Sequence, residues 1–222
     1  MKILFLTANP QGTSRLRLDE EVSKIDQSLQ GSRLRDQFEL VSKWAVDDSS
    51  LRRALLEEQP DIVHFSGHGT GAAGLVLEGE GDRLRFATAA ALADLFKVVQ
   101  QIRPIRPVRC VLFSACYAEE QAKAVVQHVA YVIGMRQAVQ DRVAILFAAA
   151  FYRGLGDGLA IEEAFDSGCN AIESALVSLP PSVRKATVVG SNSVGETVEP
   201  LADHLIPVLL RSSSETSASN FS

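Results

Sequence analysis

Two apolar runs in this chain end alike. Residues 61–69 read DIVHFSGHG and residues 108–116 read VRCVLFSAC. A short, continuous apolar run without polar alternation is the pattern of a β-strand covered on both faces, as in a parallel sheet. Each run closes on small residues and then one reactive side chain, the His68 imidazole in the first and the Cys116 thiol in the second. Parallel neighbours need a crossover of a dozen or more residues, and 48 positions separate His68 from Cys116. A fold that lays these strands side by side brings the imidazole and the thiol to one edge of the sheet.

The rest of the chain supplies such a fold. Residues 2–8, KILFLTA, form a first buried strand, which Asn9-Pro10-Gln11-Gly12 breaks. Thr13 or Ser14 is the expected cap of the next helix, with Leu16, Leu18, Val22, Ile25 and Leu29 on its inner stripe and Gly31 at its end. Residues 38–46 read as a strand, with Trp44 expected to pack against a helix. Residues 47–50, DDSS, cap a helix that turns Leu51, Leu55 and Leu56 inward and stops at Pro60. After the His68 strand, a hairpin is expected with strands near 75–77 and 84–86 and EGEGD as its turn. Helical spacing follows over 88–101, then the Cys116 strand, a helix near 118–127 and a buried strand over 129–135. Two more helices, 141–153 and 159–176, flank Gly154, Gly156 and Gly158, and short strands are expected at 186–190 and 205–210. The order predicts an α/β domain, a three-layer sandwich whose mostly parallel sheet carries helices on both faces. It spans residues 1–210, with a disordered Ser-rich tail over 211–222. Ligands of such sheets sit at the carboxyl ends of the strands, where His68 and Cys116 fall.

Composition narrows the function. The 222 residues, 46% of them hydrophobic, suffice for one sizeable core. A net charge of −5 gives no basic footprint for nucleic acid. No run of apolar residues is long enough to span a membrane, and the strand beginning at Lys2 leaves no room for a leader peptide. Three cysteines, Cys110, Cys116 and Cys169, fit free thiols and a cytoplasmic, reducing setting. Between Leu95 and Ala118 the chain carries Lys97, Arg103, Arg106 and Arg109 and no acid. This stretch reads as a solvated, proline-stiffened loop, or as a loop that docks a partner or is cut during activation.

A thiol attacks as thiolate, and an imidazole nearby supplies or stabilises that form. The tetrahedral intermediate then needs N–H donors; the backbone N–H groups of Gly69 and Cys116 are the candidates for an oxyanion hole. Gly67 and Gly69 flank His68 and permit a sharp turn and close approach. Cys116 also precedes a helix, whose N-terminal dipole favours a thiolate. His64 reads as a core or supporting residue, and Cys110 as a packed strand residue. His128 and His204 read as structural.

With these motifs in place, the sequence resembles the CHAT-domain proteins, within the caspase–separase group of cysteine peptidases. The matching pieces are KILFLTANP with RLRLDEEV, DIVHFSGHG, LFSACYAEEQA, and YVIGMRQAVQD with VAILFAAAFY, in the family's order over most of residues 1–176. The His-to-Cys spacing is also close to the roughly 50 residues of caspases. The resemblance implies the caspase-like fold, His68 as general base and Cys116 as nucleophile, no metal and no organic cofactor. It implies cleavage of protein substrates and an effector role in bacterial stress or defence signalling. Related peptidases line the pocket for the residue before the scissile bond, the P1 residue, with an acid after the strand beyond the cysteine. Many family members carry two acids there; this chain has Gln140-Asp141. Asp141 is therefore the substrate-binding candidate, for a P1 Arg or Lys, and also a candidate N-cap of the helix over 141–153. Family members usually sit beside sensor or adaptor regions, so a separate activator or sensor protein is expected. The segment over 178–199 is longer than the family's connection to a final strand.

Three other readings stand beside this one. The first keeps the fold as an interaction module without chemistry. The second takes Gly69–Gly74, GTGAAG, as a dinucleotide loop, but such a loop must open a helix and LVLEGEG follows instead. The third makes His64 and His68 metal ligands, four apart as in helical metal motifs; here they bracket Phe-Ser-Gly at a strand end and so share no helical face, and no Cys or acid completes a set.

Overall fold

A computed structural model describes residues 1–79, 83–177 and 206–213. Six strands form the central sheet: β1 (Lys2–Ala8), β2 (Glu39–Lys43), β3 (Ile62–Gly67), β6 (Cys110–Ser114), β7 (Tyr131–Met135) and β8 (Pro207–Arg211). They lie in the order β2-β1-β3-β6-β7-β8, all parallel except β8, which runs antiparallel to β7. Strands β4 (Leu75–Leu77) and β5 (Arg85–Ala87) make a separate hairpin; residues 80–82 of its turn lie outside the described residues. The expected strand at 186–190, His204 and most of the Ser-rich tail lie outside them too.

Helices cover both faces, as the continuous apolar runs of β1, β3 and β6 require. On one face α2 (Asp48–Glu58), α3 (Ala89–Ile102) and α4 (Glu119–Val125) pack on Leu4, Leu6, Val63, Phe65, Val111 and Phe113. On the other α1 (Leu18–Gln30), α5 (Asp141–Gly156) and α6 (Ile161–Val177) pack on Ile3, Phe5, Ile62, Cys110 and Leu112. Among the described residues no helix is long and apolar enough to cross a membrane.

Several local expectations are corrected. Neither Thr13 nor Ser14 caps α1. The Thr13 hydroxyl instead donates to the Pro10 carbonyl at 2.7 Å, closing a turn, and the helix starts at Leu18 without a side-chain cap. Trp44 follows the edge strand β2 and is 51% exposed, and Leu56 is 37% exposed on the outer side of α2. The cap of α2 is as read: Asp47 Oδ1 accepts from the Ser50 N–H at 2.7 Å, and the Ser50 hydroxyl oxygen accepts from the Asp47 N–H at 2.8 Å. The basic connection is not uniformly solvated. Arg103 is buried and donates to the carbonyls of Pro60 at 3.0 Å and Gln59 at 2.8 Å. It thereby satisfies backbone acceptors just beyond the end of α2.

Candidate active site

β3 and β6 are hydrogen-bonded neighbours in parallel register, with Ser66 opposite Ser114. The residues that leave them, His68 and Cys116, line one cavity. Gly69 lets the two loops meet. A Cβ there would lie 2.1 Å from the Cys116 carbonyl oxygen, so no larger residue fits without parting the loops. Gln121 of α4 ties them from the other side by donating to the Gly71 carbonyl at 2.8 Å. Directly after Cys116 the chain turns through Tyr117 at φ 55°. A left-handed conformation costs a non-glycine residue about 1–3 kcal/mol and is concentrated at functional sites.

The imidazole is oriented by the loop after β1. His68 Nε2 lies 2.9 Å from the Ser14 carbonyl oxygen and 3.2 Å from Asn9 Oδ1. A carbonyl only accepts, so Nε2 carries a proton and donates, which leaves Nδ1 as the nitrogen able to act as a base. The thiol is held by the loop after β7. The Val139 N–H donates to Cys116 Sγ at 3.4 Å, and the thiol faces the Val139 carbonyl at 3.7 Å. Burial pushes the Cys116 thiol up, the nearby Asp141 charge adds to this, and the Val139 N–H opposes it. The resting sulfur is therefore a thiol. Cys110, wholly enclosed, is pushed up to about 12 by burial, which leaves it inert.

Asp141 also lines the cavity. It does not cap α5; Gln140 occupies the N-cap position and Asp141 begins the helix. Its Oδ2 accepts from the Arg17 backbone N–H at 3.1 Å and lies 3.8 Å from Arg17 Nε. His64 is fully buried, apart from His68, against Phe5, Tyr152 and Glu21. The loop at 69–74 opens no helix of dinucleotide-binding kind: a single tight turn over Gly71–Ala73 leads straight into β4.

Sequence reading missed Ser14 and Val139, which act through backbone groups and leave no local signal, and Asn9, whose side-chain oxygen meets His68 from a loop distant in sequence. It also missed Glu21, for which a signal exists. Glu21 lies three residues after Leu18 and four before Ile25, on the buried stripe of α1.

Comparison with known proteins bears on the family and the fold. The CHAT domain profile matches residues 5–168. A probable protease from Gillisia limnaea is 24% identical over 173 residues, which cover 77% of this chain and 30% of that protein. A Roc-COR-CHAT protease from an unknown prokaryotic organism is 25% identical over 174 residues, covering 78% of this chain and 16% of that one. The chain thus spans less than a third of either relative. Among solved structures, caspase-1 from Spodoptera frugiperda superposes with a TM-score of 0.57 at 12% identity, covering 95% of this chain and 85% of that one. A secreted C11 cysteine protease from Bacteroides thetaiotaomicron gives 0.54 at 15% identity, covering 79% and 58%. The profile match, the caspase-like sheet and the meeting of the His68 and Cys116 loops place the chain in the CHAT domain family, with a caspase-like fold.

Proposed function

We propose that this protein is a cysteine endopeptidase that cleaves protein substrates through a Cys116–His68 dyad. The observation that carries the reading is the junction of the two loops at Gly69, which puts thiol and imidazole on one cavity. In this mechanism His68 Nδ1 takes the Cys116 proton as sulfur attacks the scissile carbonyl. Asn9 and Ser14 hold the ring so that Nδ1 is the basic nitrogen. The N–H groups of Gly69 and Cys116 receive the oxyanion. The imidazolium then protonates the leaving amine, and water hydrolyses the thioester. A basic P1 residue is proposed, with Asp141 at the cavity rim as its first acidic contact.

Regulation and context belong to the same proposal. The raised thiol supports low basal turnover until an activator or sensor protein acts, and the relative named Roc-COR-CHAT protease supports such multidomain coupling. An effector role in bacterial stress or defence signalling, in the cytoplasm, rests on family membership alone.

The test is hydrolysis of Arg- and Lys-aminomethylcoumarin peptides by the wild type, Cys116→Ala and His68→Ala. Both variants are expected to lose at least about a thousandfold in kcat/KM, the order seen when a nucleophile or its base is removed. Iodoacetamide should alkylate Cys116 of the His68→Ala variant slowly at neutral pH. The rate should rise with pH through a midpoint above the ordinary thiol value of about 8.5, because burial disfavours the thiolate. Undiminished turnover by Cys116→Ala would sink the dyad.

A further inference from the structure

The cavity beneath Cys116 and His68 contains a carboxylate for which the hydrolytic steps have no use. Glu21 projects from α1 and is 3% exposed, yet it lines this cavity. The Ser66 hydroxyl donates to its Oε2, and the Ser114 hydroxyl donates to its Oε1 at 3.1 Å. His64 Nε2 lies 3.3 Å from Oε1 without making a directed hydrogen bond. Behind it the Tyr152 hydroxyl lies 3.3 Å from His64 Nδ1. Burial and neighbouring negative charge hold the Tyr152 phenol in its protonated form.

A carboxylate offers about four acceptor positions. Among the described residues only two of Glu21's are filled by directed hydrogen bonds, both from neutral hydroxyls. A carboxylate buried in this way is costly unless a cation or further donors meet it. The two other charged side chains of the cavity do not meet it: Arg17 is engaged at the rim with Glu20 at 2.9 Å and with Asp141. Asp141 is thus already countered by Arg17, whereas Glu21 has beside it, among the described residues, His64 at 3.3 Å without a directed hydrogen bond. Between rim and floor the walls are apolar, formed by Leu16, Leu18, Val139, Ala144 and Ile145. The cavity is small, about 40 Å³.

We infer that Glu21 is the specificity-determining acid of this site, receiving the cationic head of a P1 lysine or arginine whose stem lies along the apolar walls. The inference rests on the peptidase reading for the direction in which substrate enters. It assigns the charge selection to the floor of the pocket, on α1, rather than to Asp141. Ser66 and Ser114, from the two strands that carry the dyad, fix the carboxylate relative to the sulfur.

Binding tests this without requiring turnover. The Cys116→Ala protein is titrated calorimetrically with two peptides identical except for lysine or norleucine at P1. The lysine peptide is expected to bind about a hundredfold more tightly, the order lost when one partner of a buried charge pair is neutralised. Glu21→Gln, which keeps the shape, should erase that preference while leaving the norleucine peptide's affinity unchanged. Glu21→Asp, which withdraws the charge by one methylene, should retain a basic preference shifted from lysine toward the longer arginine; it serves also if Glu21→Gln does not fold. Asp141→Asn should keep the preference. Equal affinity for both peptides, binding of neither, or a lysine preference that survives Glu21→Gln and vanishes in Asp141→Asn overturns the inference. Tight Glu21-dependent binding without hydrolysis by the wild type would instead remove the peptidase reading and leave this one standing.

Discussion

On the α2–α3–α4 face of the sheet, β3 contributes Val63 and Phe65, and β6 contributes Val111 and Phe113 to an apolar core. On the α1–α5–α6 face the alternate residues of the same strands begin apolar, with Ile62, Cys110 and Leu112, and turn polar toward their carboxyl ends, with His64, Ser66 and Ser114. Period-two alternation lets one strand serve both layers. In one layer the strand residues are apolar throughout. The other gives up apolar contacts at its carboxyl end to hold Glu21, His64 and Tyr152 beneath the candidate dyad. The contrast teaches where a site can be lodged in this fold: an apolar core and a polar floor are built on opposite faces by residues adjacent in sequence.

The sharpest way to break the comparison is to damage the dry face and look for a functional effect. Phe65 is almost fully buried there. Phe65→Ala removes a ring and leaves a cavity, at an expected cost of about 3–5 kcal/mol. For a chain of this size that lowers Tm by roughly 10 °C. Below the transition, the ratio of kcat/KM values for basic and neutral P1 substrates should stay at the wild-type value. A changed ratio would show that the faces are coupled.

A smaller effect is expected where the faces meet. Gly69→Ala sets a methyl group against the Cys116 carbonyl oxygen, where 2.1 Å is available. The loops must part, and a displacement near 1 Å in a reacting pair costs about a hundredfold in rate. The expected signature is loss of kcat with little change in the urea midpoint, since the core on either face is untouched. Activity within a factor of about three of wild type would show that the loops tolerate separation, against the positioning argument.

Much of this was legible in the residues. Strands β1, β3 and β6 announced themselves as continuous apolar runs because both faces of the sheet are covered, and the same runs ended at His68 and Cys116. The pairing of β3 with β6 followed from parallel crossover connections. What escaped was whatever depends on a partner distant in sequence. Trp44 looked like a core residue because edge position is a property of the whole sheet, not of the strand's own letters. Arg103 looked solvated because its acceptors, the carbonyls of Gln59 and Pro60, belong to another helix end. Asp141 looked like a cap because acids favour helix starts, yet it sits one residue too late and answers the Arg17 N–H instead. Glu21 stands without distinction among the acids of DEE. Its place on the Leu18–Ile25–Leu29 stripe marked it as inward-facing, but only the fold reveals the two serines that receive it.

The smallest effect sharpens the comparison from the dry side. Asp47 caps α2 through Ser50 and lies far in function from the cavity. The Ser50 N–H, then the hydroxyls of Ser50 and Ser49, hold its carboxyl at about 2. That lies below the unfolded value of about 3.9, so the unfolded chain binds the proton more tightly and the cap contributes stability only while Asp47 is ionised. The contribution is full above about pH 5 and fades as pH falls through the folded value. Asp47→Ala should cost about 1 kcal/mol at pH 7, less than the shift alone suggests because the site is partly solvated and screened. The difference between variant and wild type should shrink steadily in urea titrations from pH 5 toward pH 2. Peptide turnover and P1 preference at pH 7 should not move. A stability difference that held constant to low pH would mean the cap acts through shape rather than charge. A shift in P1 preference would carry information from the α2 face to the Glu21 pocket, across strands that otherwise keep the two apart.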